Sequence, residues 1–264
     1  NNLDNVLYEI SADGPLGNPV WQNYIINYLK TYQATKLNQH PIGIGHLSGT
    51  NTQDVFAGPA DWITFYGADL NPPLAAGAKV LFLEANPSLL GDGSSYQSIW
   101  KYFTRGFNVF DRELDSLTPG ISDRLHGAIT QSLAYSQMLN LAAMLPSDII
   151  CSSSYCLVKP SAEYLAYLPL GGRVVIDLST AQQNFLVNWF NPITGQTVSS
   201  NTVSGGGQVT LNSPFNGEAL LHLKIQPQTL TSASTTTNTS GTSNVTTLST
   251  SYSASTTSTG SKKT

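Results

Sequence analysis

PIGIGHL (residues 41–47), DWITFYGA (61–68) and KVLFLEA (79–85) are three short apolar runs that follow one another along the chain. Each has the length of a strand, and each is apolar enough to be buried on both faces, as strands of a parallel sheet are. Upstream, NVLYEI (5–10) reads the same way. It precedes a helical pattern over residues 19–33, where Trp21, Tyr24, Ile25, Tyr28 and Leu29 recur at helical spacing and are expected to form the buried stripe. Further helices are expected over residues 98–105 and 122–144. In the second, Leu125, Ile129, Leu133, Met138, Leu141 and Met144 fall close to one face. The alternation of strands and helices predicts consecutive parallel βα units through residue 112.

Past Pro146 the texture changes. EYLAYL, RVVIDL, FLVNWF, QVTL and ALLHLKI are short strand candidates, split by turns such as Leu170-Gly171-Gly172 and Asn191-Pro192-Ile193-Thr194-Gly195. Regular short strands with turn signals predict a small antiparallel β-sandwich. From Thr229 to Thr264, Ser and Thr make up 24 of 36 residues. Such a composition cannot bury enough apolar surface to offset its ordering entropy, which predicts a disordered, glycosylated stalk. The N-glycosylation sequons at Asn238 and Asn244 both lie in it. The expected organisation is therefore an α/β domain over residues 1–147, a β-sandwich over 148–228 and a stalk over 229–264.

Composition excludes several function classes. The 264 residues carry 12 Lys plus Arg against 16 Asp plus Glu, a net charge of −4, and no basic run exceeds Lys262-Lys263, so nucleic acid is not an expected partner. No run of 18 apolar residues predicts a membrane span. The four histidines show no ligand spacing, so neither metal nor cofactor is expected. Charged residues are only 11% of the chain, and solubility that rests on uncharged polar groups suits an acidic exterior as well as a neutral glycoprotein surface. The opening NNLDN, with no initiator Met and no apolar leader, predicts a cut N-terminus. Cys151 and Cys156 in CSSSYC are five apart, so in one continuous strand they would face opposite ways. Either a turn between them allows a disulfide or they are two free thiols.

NVLYEIS, HPIGIG, KVLFLEAN, WKYFTRGFNVFD, LNLAAMLPS, SSSYCLVKP, EYLAYLPLGG and WFNPITG occur in the order found in apiosidase-like glycoside hydrolases of the DUF4038 type, which the chain resembles over nearly all of residues 5–195. The resemblance implies a (β/α)8 barrel of the clan A type followed by a β domain that the family labels collagen-binding, although nothing in these residues argues for collagen. A complete barrel takes about 250 residues. The 147 before the β domain accommodate about five βα units, which in the family's order are strands 4 to 8. An upstream-encoded chain that supplies the missing strands is an expected partner, with truncation the alternative.

The resemblance also implies a pair of carboxylates at the ends of strands 4 and 7, one an acid/base and one a nucleophile. The family's strand 4 ends in Asn-Glu, whereas this chain has Ala12-Asp13, so Asp13 takes the acid/base place in a departure from the pattern. Glu84 ends KVLFLE at the nucleophile's position and shares a strand face with Val80 and Phe82. Glu9 falls on the face of Asp13, either as a site residue or as a satisfied buried acid. His46, Asp69 and Asp111 are expected on the same rim, and Tyr66 and Trp100, with Trp62, could stack on sugar rings or belong to the core.

Two functions follow. The first is an extracellular glycoside hydrolase, or its C-terminal part, acting on a polysaccharide with Glu84 as nucleophile and Asp13 as acid/base. The second is a non-catalytic cell-surface or carbohydrate-binding protein that keeps the glycosidase fold.

Overall fold

A computed structural model describes residues 3–10, 18–47, 51–66, 72–75, 77–84, 95–110 and 121–226. The first half is one sheet, β1 (Tyr8–Ile10), β2 (Ile42–Leu47), β3 (Trp62–Tyr66), β4 (Val80–Glu84) and β5 (Phe107–Phe110), in the spatial order of the sequence. Every neighbouring pair is parallel. A parallel strand must be reached by a crossover, and α1 (Pro19–Gln33), α2 (Gln53–Ala57) and α3 (Ser95–Thr104) lie in three of these connections, with α4 (Ile121–Ser136) after β5. A strand order that never reverses means that all right-handed crossovers fall on the same face.

The period of two then sorts the side chains. Ile42 and Ile44, Ile63 and Phe65, Leu81 and Leu83, and Phe107 face the helices and pack against Ile26, Val55, Ile99, Tyr102 and Leu125. Glu9, Gly43, Trp62, Thr64, Tyr66, Phe82, Glu84 and Asn108, at the alternate positions, occupy the opposite inner face. Gly43 is required there. A Cβ at this position would stand 2.0 Å from the Trp62 indole, which lies across β2.

α1 departs from expectation. Its buried residues are Gln22, Ile26 and Gln33, while Trp21, Tyr24 and Tyr28 are exposed. The two glutamines go inside because they serve backbone groups: Gln22 donates to the Gly45 carbonyl at 3.0 Å, and Gln33 donates to the His40 carbonyl and accepts from its amide. α4 ends at Ser136, short of Met144, so only Leu125 and Met144 of the expected stripe are fully buried; Leu133, Met138 and Leu141 are exposed.

The second half is antiparallel. A six-stranded sheet runs in the order β11 (Thr197–Ser204), β10 (Asn184–Phe190), β13 (Ala219–Ile225), β8 (Glu163–Leu168), β7 (Cys156–Lys159), β6 (Leu145–Ser147), and a two-stranded sheet pairs β12 (Gln208–Asn212) with β9 (Arg173–Asp177). Val174, Ile176, Phe185, Trp189, Leu221 and Leu223 fill the space between the sheets. All five expected strands are present, and the polar β11 (TVSSNTVS) is one that apolar pattern does not reveal. Cys151 and Cys156 form a disulfide. The turn it needs is there: the Ser154 amide donates to the Cys151 carbonyl at 3.1 Å, with Ser154 at φ 62°.

Residues up to 227 form one compact unit, because the outer face of the six-stranded sheet is covered by α3 and α4. Trp100 is the centre of this contact. It is fully buried, with ring centroids of Phe103, Phe190 and Tyr135 at 5.8, 5.9 and 6.1 Å. Truncating such a side chain costs roughly 3–5 kcal/mol. Buried carboxylates in this layer are paired: Glu218 accepts from Tyr167 at 2.7 Å and Gln97 at 3.0 Å, and Glu163 meets His222 at 2.8 Å. The Asn238 and Asn244 sequons and the Ser/Thr stalk lie outside the described residues.

Two outcomes follow from these contacts. Gly43→Val should destabilise by about 1–3 kcal/mol through overpacking against Trp62, read as a lower urea midpoint. Asp61 is the second case. Partial burial pushes its carboxyl up, but the Lys30 ammonium at 2.6 Å and the Ile42 amide outweigh burial and hold it below the usual range. A lowered folded value means that this stabilisation is present above the unfolded pKa and is lost as pH falls through the folded one. Asp61→Asn should therefore lower Tm at pH 7 and change it little at pH 2.

Candidate functional site

Parallel strands place all their C-terminal ends on one rim, and loops that leave this rim can converge on a ligand. On the inner face of that rim stand Glu9 from β1, Tyr66 from β3 and Glu84 from β4. Glu84 is 3% exposed and Tyr66 is 5% exposed, and their Cα positions are register partners. The Tyr66 hydroxyl donates to Glu9 Oε1 at 2.7 Å. This bond reaches over β2 from its far side.

The reason it can do so is local. Gly43 and Gly45 present no side chain on the inner face of β2, so the rings of β3 can extend toward β1. Beyond Glu84 the face continues with Phe82 and Phe110, whose rings meet edge-on at 6.0 Å, and with Asn108, which donates to the Leu81 carbonyl at 3.3 Å. Val80 is half exposed and Phe110 is 36% exposed, so the inner face stays accessible toward β5.

The expected site residues divide into three groups. Glu9, Tyr66 and Glu84 come together. Trp100 does not join them, because it is enclosed between α3 and the six-stranded sheet, and the ring of His46 is turned to the helix side, edge-on to Phe65 at 5.1 Å. Asp13, Asp69 and Asp111 lie outside the described residues. Thr64 and Asn108 are inner-face groups that sequence reasoning missed, although counting by twos from Tyr66 along β3, and away from the helix-facing Phe107 and Val109 along β5, would have found them.

Chemically, this face offers one buried carboxylate beside a phenol whose hydrogen bond orients a second carboxylate. Among the described residues no cluster of three His, Cys, Asp or Glu could hold a metal ion.

Its fold resembles that of glycoside hydrolases. A solved structure described as a glycoside hydrolase superposes with a TM-score of 0.55 at 11% identity, over 76% of this chain and 60% of its own. A family 5 glycoside hydrolase from Bacteroides vulgatus superposes with a TM-score of 0.56 at 11% identity, over 75% and 57%. The chain thus spans about six-tenths of the length of these structures. No protein-family profile matches the sequence, and no curated protein matches it. At such identity the likeness is one of fold.

The Tyr66–Glu9 bond gives a direct test. Tyr66→Phe removes the donor and leaves a partly buried carboxylate short of one partner, which should cost about 1–3 kcal/mol. Glu9→Gln added to Tyr66→Phe should cost less than the sum of the two single changes in a double-mutant cycle of urea midpoints.

Proposed function

We propose that the chain is an extracellular glycoside hydrolase, or its C-terminal part, that cleaves a polysaccharide with retention of configuration. The observation that carries this reading is the buried Glu84 at the C-terminal end of β4, beside Tyr66 and on the inner face that also carries Glu9. Glu84 attacks the anomeric carbon while Asp13 protonates the leaving oxygen. A glycosyl ester on Glu84 results. Water, deprotonated by Asp13, then hydrolyses the ester and restores both carboxyl groups. Tyr66 positions Glu9 against the sugar hydroxyls.

The five parallel strands in sequential order are read as strands 4 to 8 of a (β/α)8 barrel. Sequential order and the partial span of the glycoside hydrolase structures support this. The Cys151–Cys156 disulfide, the low charge and the Ser/Thr-rich residues 229–264 support an extracellular or cell-surface setting with three segments, 1–147, 148–228 and 229–264. The Ala12-Asp13 departure favours a second reading, a carbohydrate-binding protein that no longer turns over.

Hydrolysis of an aryl-glycoside panel by this chain, alone and with any upstream-encoded partner, separates the two. Glu84→Gln should abolish turnover, since an amide cannot form the ester. Asp13→Asn should slow poor leaving groups and spare activated aryl glycosides. Equal inertness of the wild type and Glu84→Gln, with oligosaccharide binding kept, selects the binding protein.

A further inference from the structure

Gln97, Lys101 and Arg105 are spaced by four along α3 and so form one line, which continues past the last helical residue because the Arg105 amide still donates to the Lys101 carbonyl at 3.1 Å. That line meets Tyr155. The Lys101 ammonium stands 5.8 Å and the Arg105 guanidinium 5.1 Å from the centre of its ring, within cation–π range. Tyr155 belongs to the turn that the Cys151–Cys156 disulfide closes, and Ser152 ties this turn to β9: its amide donates to the Val175 carbonyl and its hydroxyl oxygen accepts from the Val175 amide, both at 2.9 Å.

A groove of about 410 Å³ is lined here by Gln97 and Lys101 of α3, by Ser152, Ser153 and Tyr155 of the disulfide turn, and by the β8–β9 turn with Arg173. Among the described residues no Asp or Glu lines it, and neither Lys101 nor Arg173 is in an ion pair. Arg105 adds a buried charge beside the same ring. It is only 9% exposed, its Nε has no hydrogen-bond partner, and among the described residues no carboxylate pairs with it. Glu218 is committed elsewhere, since Gln97 and Tyr167 each donate to one of its oxygens.

Burying a cation without an anion is costly. The C-terminal end of α3 and the Tyr155 ring offset part of that cost, and neither supplies an acceptor oxygen. The chemistry complementary to such a groove is an oxyanion, which takes charge-assisted hydrogen bonds from ammonium, guanidinium and hydroxyl groups. Ser152 can join them, because an oxygen that accepts from Val175 keeps its own hydrogen to donate.

We propose that this groove binds the oxyanion of an acidic saccharide, with Lys101, Arg173 and the Ser152 hydroxyl as donors and Arg105 as the buried charge beside Tyr155. A uronate carboxylate and a sulfate ester share that chemistry. The saccharide part of the proposal rests on the glycoside hydrolase reading above, whereas the oxyanion part rests on the groove alone.

The test measures binding to the whole chain by calorimetry, with glucuronate, its neutral methyl ester, glucose 6-sulfate and inorganic sulfate as probes. At least one acidic sugar should bind, more weakly as salt rises, and the methyl ester at least about 10-fold less tightly than glucuronate if the carboxylate is the group held. Lys101→Gln and Arg173→Gln should each weaken binding about 10-fold. Arg105→Met should weaken it too while leaving Tm unchanged or raised, because it removes an unpaired buried cation. Lys36→Gln, an equal change of charge just after α1, should leave binding intact.

The proposal is overturned if neither acidic sugar binds, if binding ignores the Lys101 and Arg173 changes, or if the methyl ester binds as well as glucuronate and glucose 6-sulfate does not bind. Inorganic sulfate held as tightly as the sugars overturns the saccharide part. A lowered Tm with binding kept in Arg105→Met overturns the role of Arg105. Groove-dependent binding by a chain that hydrolyses no glycoside sinks the enzyme reading and leaves the groove standing; hydrolysis of neutral glycosides without binding of the acidic sugars does the reverse.

Discussion

The indole of Trp62 lies where a side chain of Gly43 would be, and the inner face of the sheet is arranged around that substitution of ring for side chain. Neighbouring strands are about 4.8 Å apart. Two large residues in register on one face cannot both lie flat in that spacing. β2 resolves the conflict at Trp62, whose register partner is Gly43, and leaves the next inner position bare at Gly45, opposite Thr64, while Tyr66 has Leu47 for its register partner. The Tyr66 hydroxyl reaches Glu9 on β1, so this bond joins groups two strands apart across the glycine-bearing strand between them.

The other face of the sheet is held by a second constraint. α3 is buried on both sides, with Ile99 and Tyr102 against the parallel sheet and Trp100 and Phe103 against the antiparallel one. The six-stranded sheet is therefore covered on both faces: in β8, Tyr164, Ala166 and Leu168 face the two-stranded sheet while Leu165 and Tyr167 face the helices. The buried carboxylates of this layer are partnered within it, Glu218 by Tyr167 and Gln97 and Glu163 by His222. Burial raises the Tyr167 hydroxyl and the nearby Glu218 carboxylate raises it further, which keeps the phenol protonated as the donor that Glu218 requires. The sandwich thus backs the helices that back β4 and β5, and the position of Glu84 inherits that rigidity.

These constraints also explain which parts were legible in the sequence. PIGIGHL, DWITFYGA and KVLFLEA announce themselves because strands covered on both faces are apolar throughout. EYLAYL and ALLHLKI do so for the same reason, although their sheet is antiparallel. α1 misleads, because hydrophobic spacing ranks Trp21, Tyr24 and Tyr28 above Gln22 and Gln33, while the structure buries the glutamines as partners for backbone groups at Gly45 and His40. Periodicity reads transfer energy and is blind to the demand of a buried carbonyl for a donor. β11 escapes notice for the opposite reason: as an edge strand with exposed Thr and Ser, it needs no apolar face. At the site, strand-end position was enough to bring out Glu9, Tyr66 and Glu84. His46 and Trp100 needed the three-dimensional parity of their elements, since the first turns to Phe65 and the second to the sandwich.

The two periodicities divide the labour of the molecule. Along each strand the period of two assigns alternate residues to chemistry on the inner face or to packing under the helices. Around α1 the helical period assigns one line to the sheet, one flank to the next unit and the remaining positions to rings that are exposed among the described residues. Because the sheet itself separates Glu9, Tyr66 and Glu84 from Trp21 and Tyr28, changes at Trp21 or Tyr28 leave the carboxylates untouched. Changes at Gly43 cannot be so confined. That position lies under Trp62 on the same inner face, where packing and the orientation of the acidic groups are one problem.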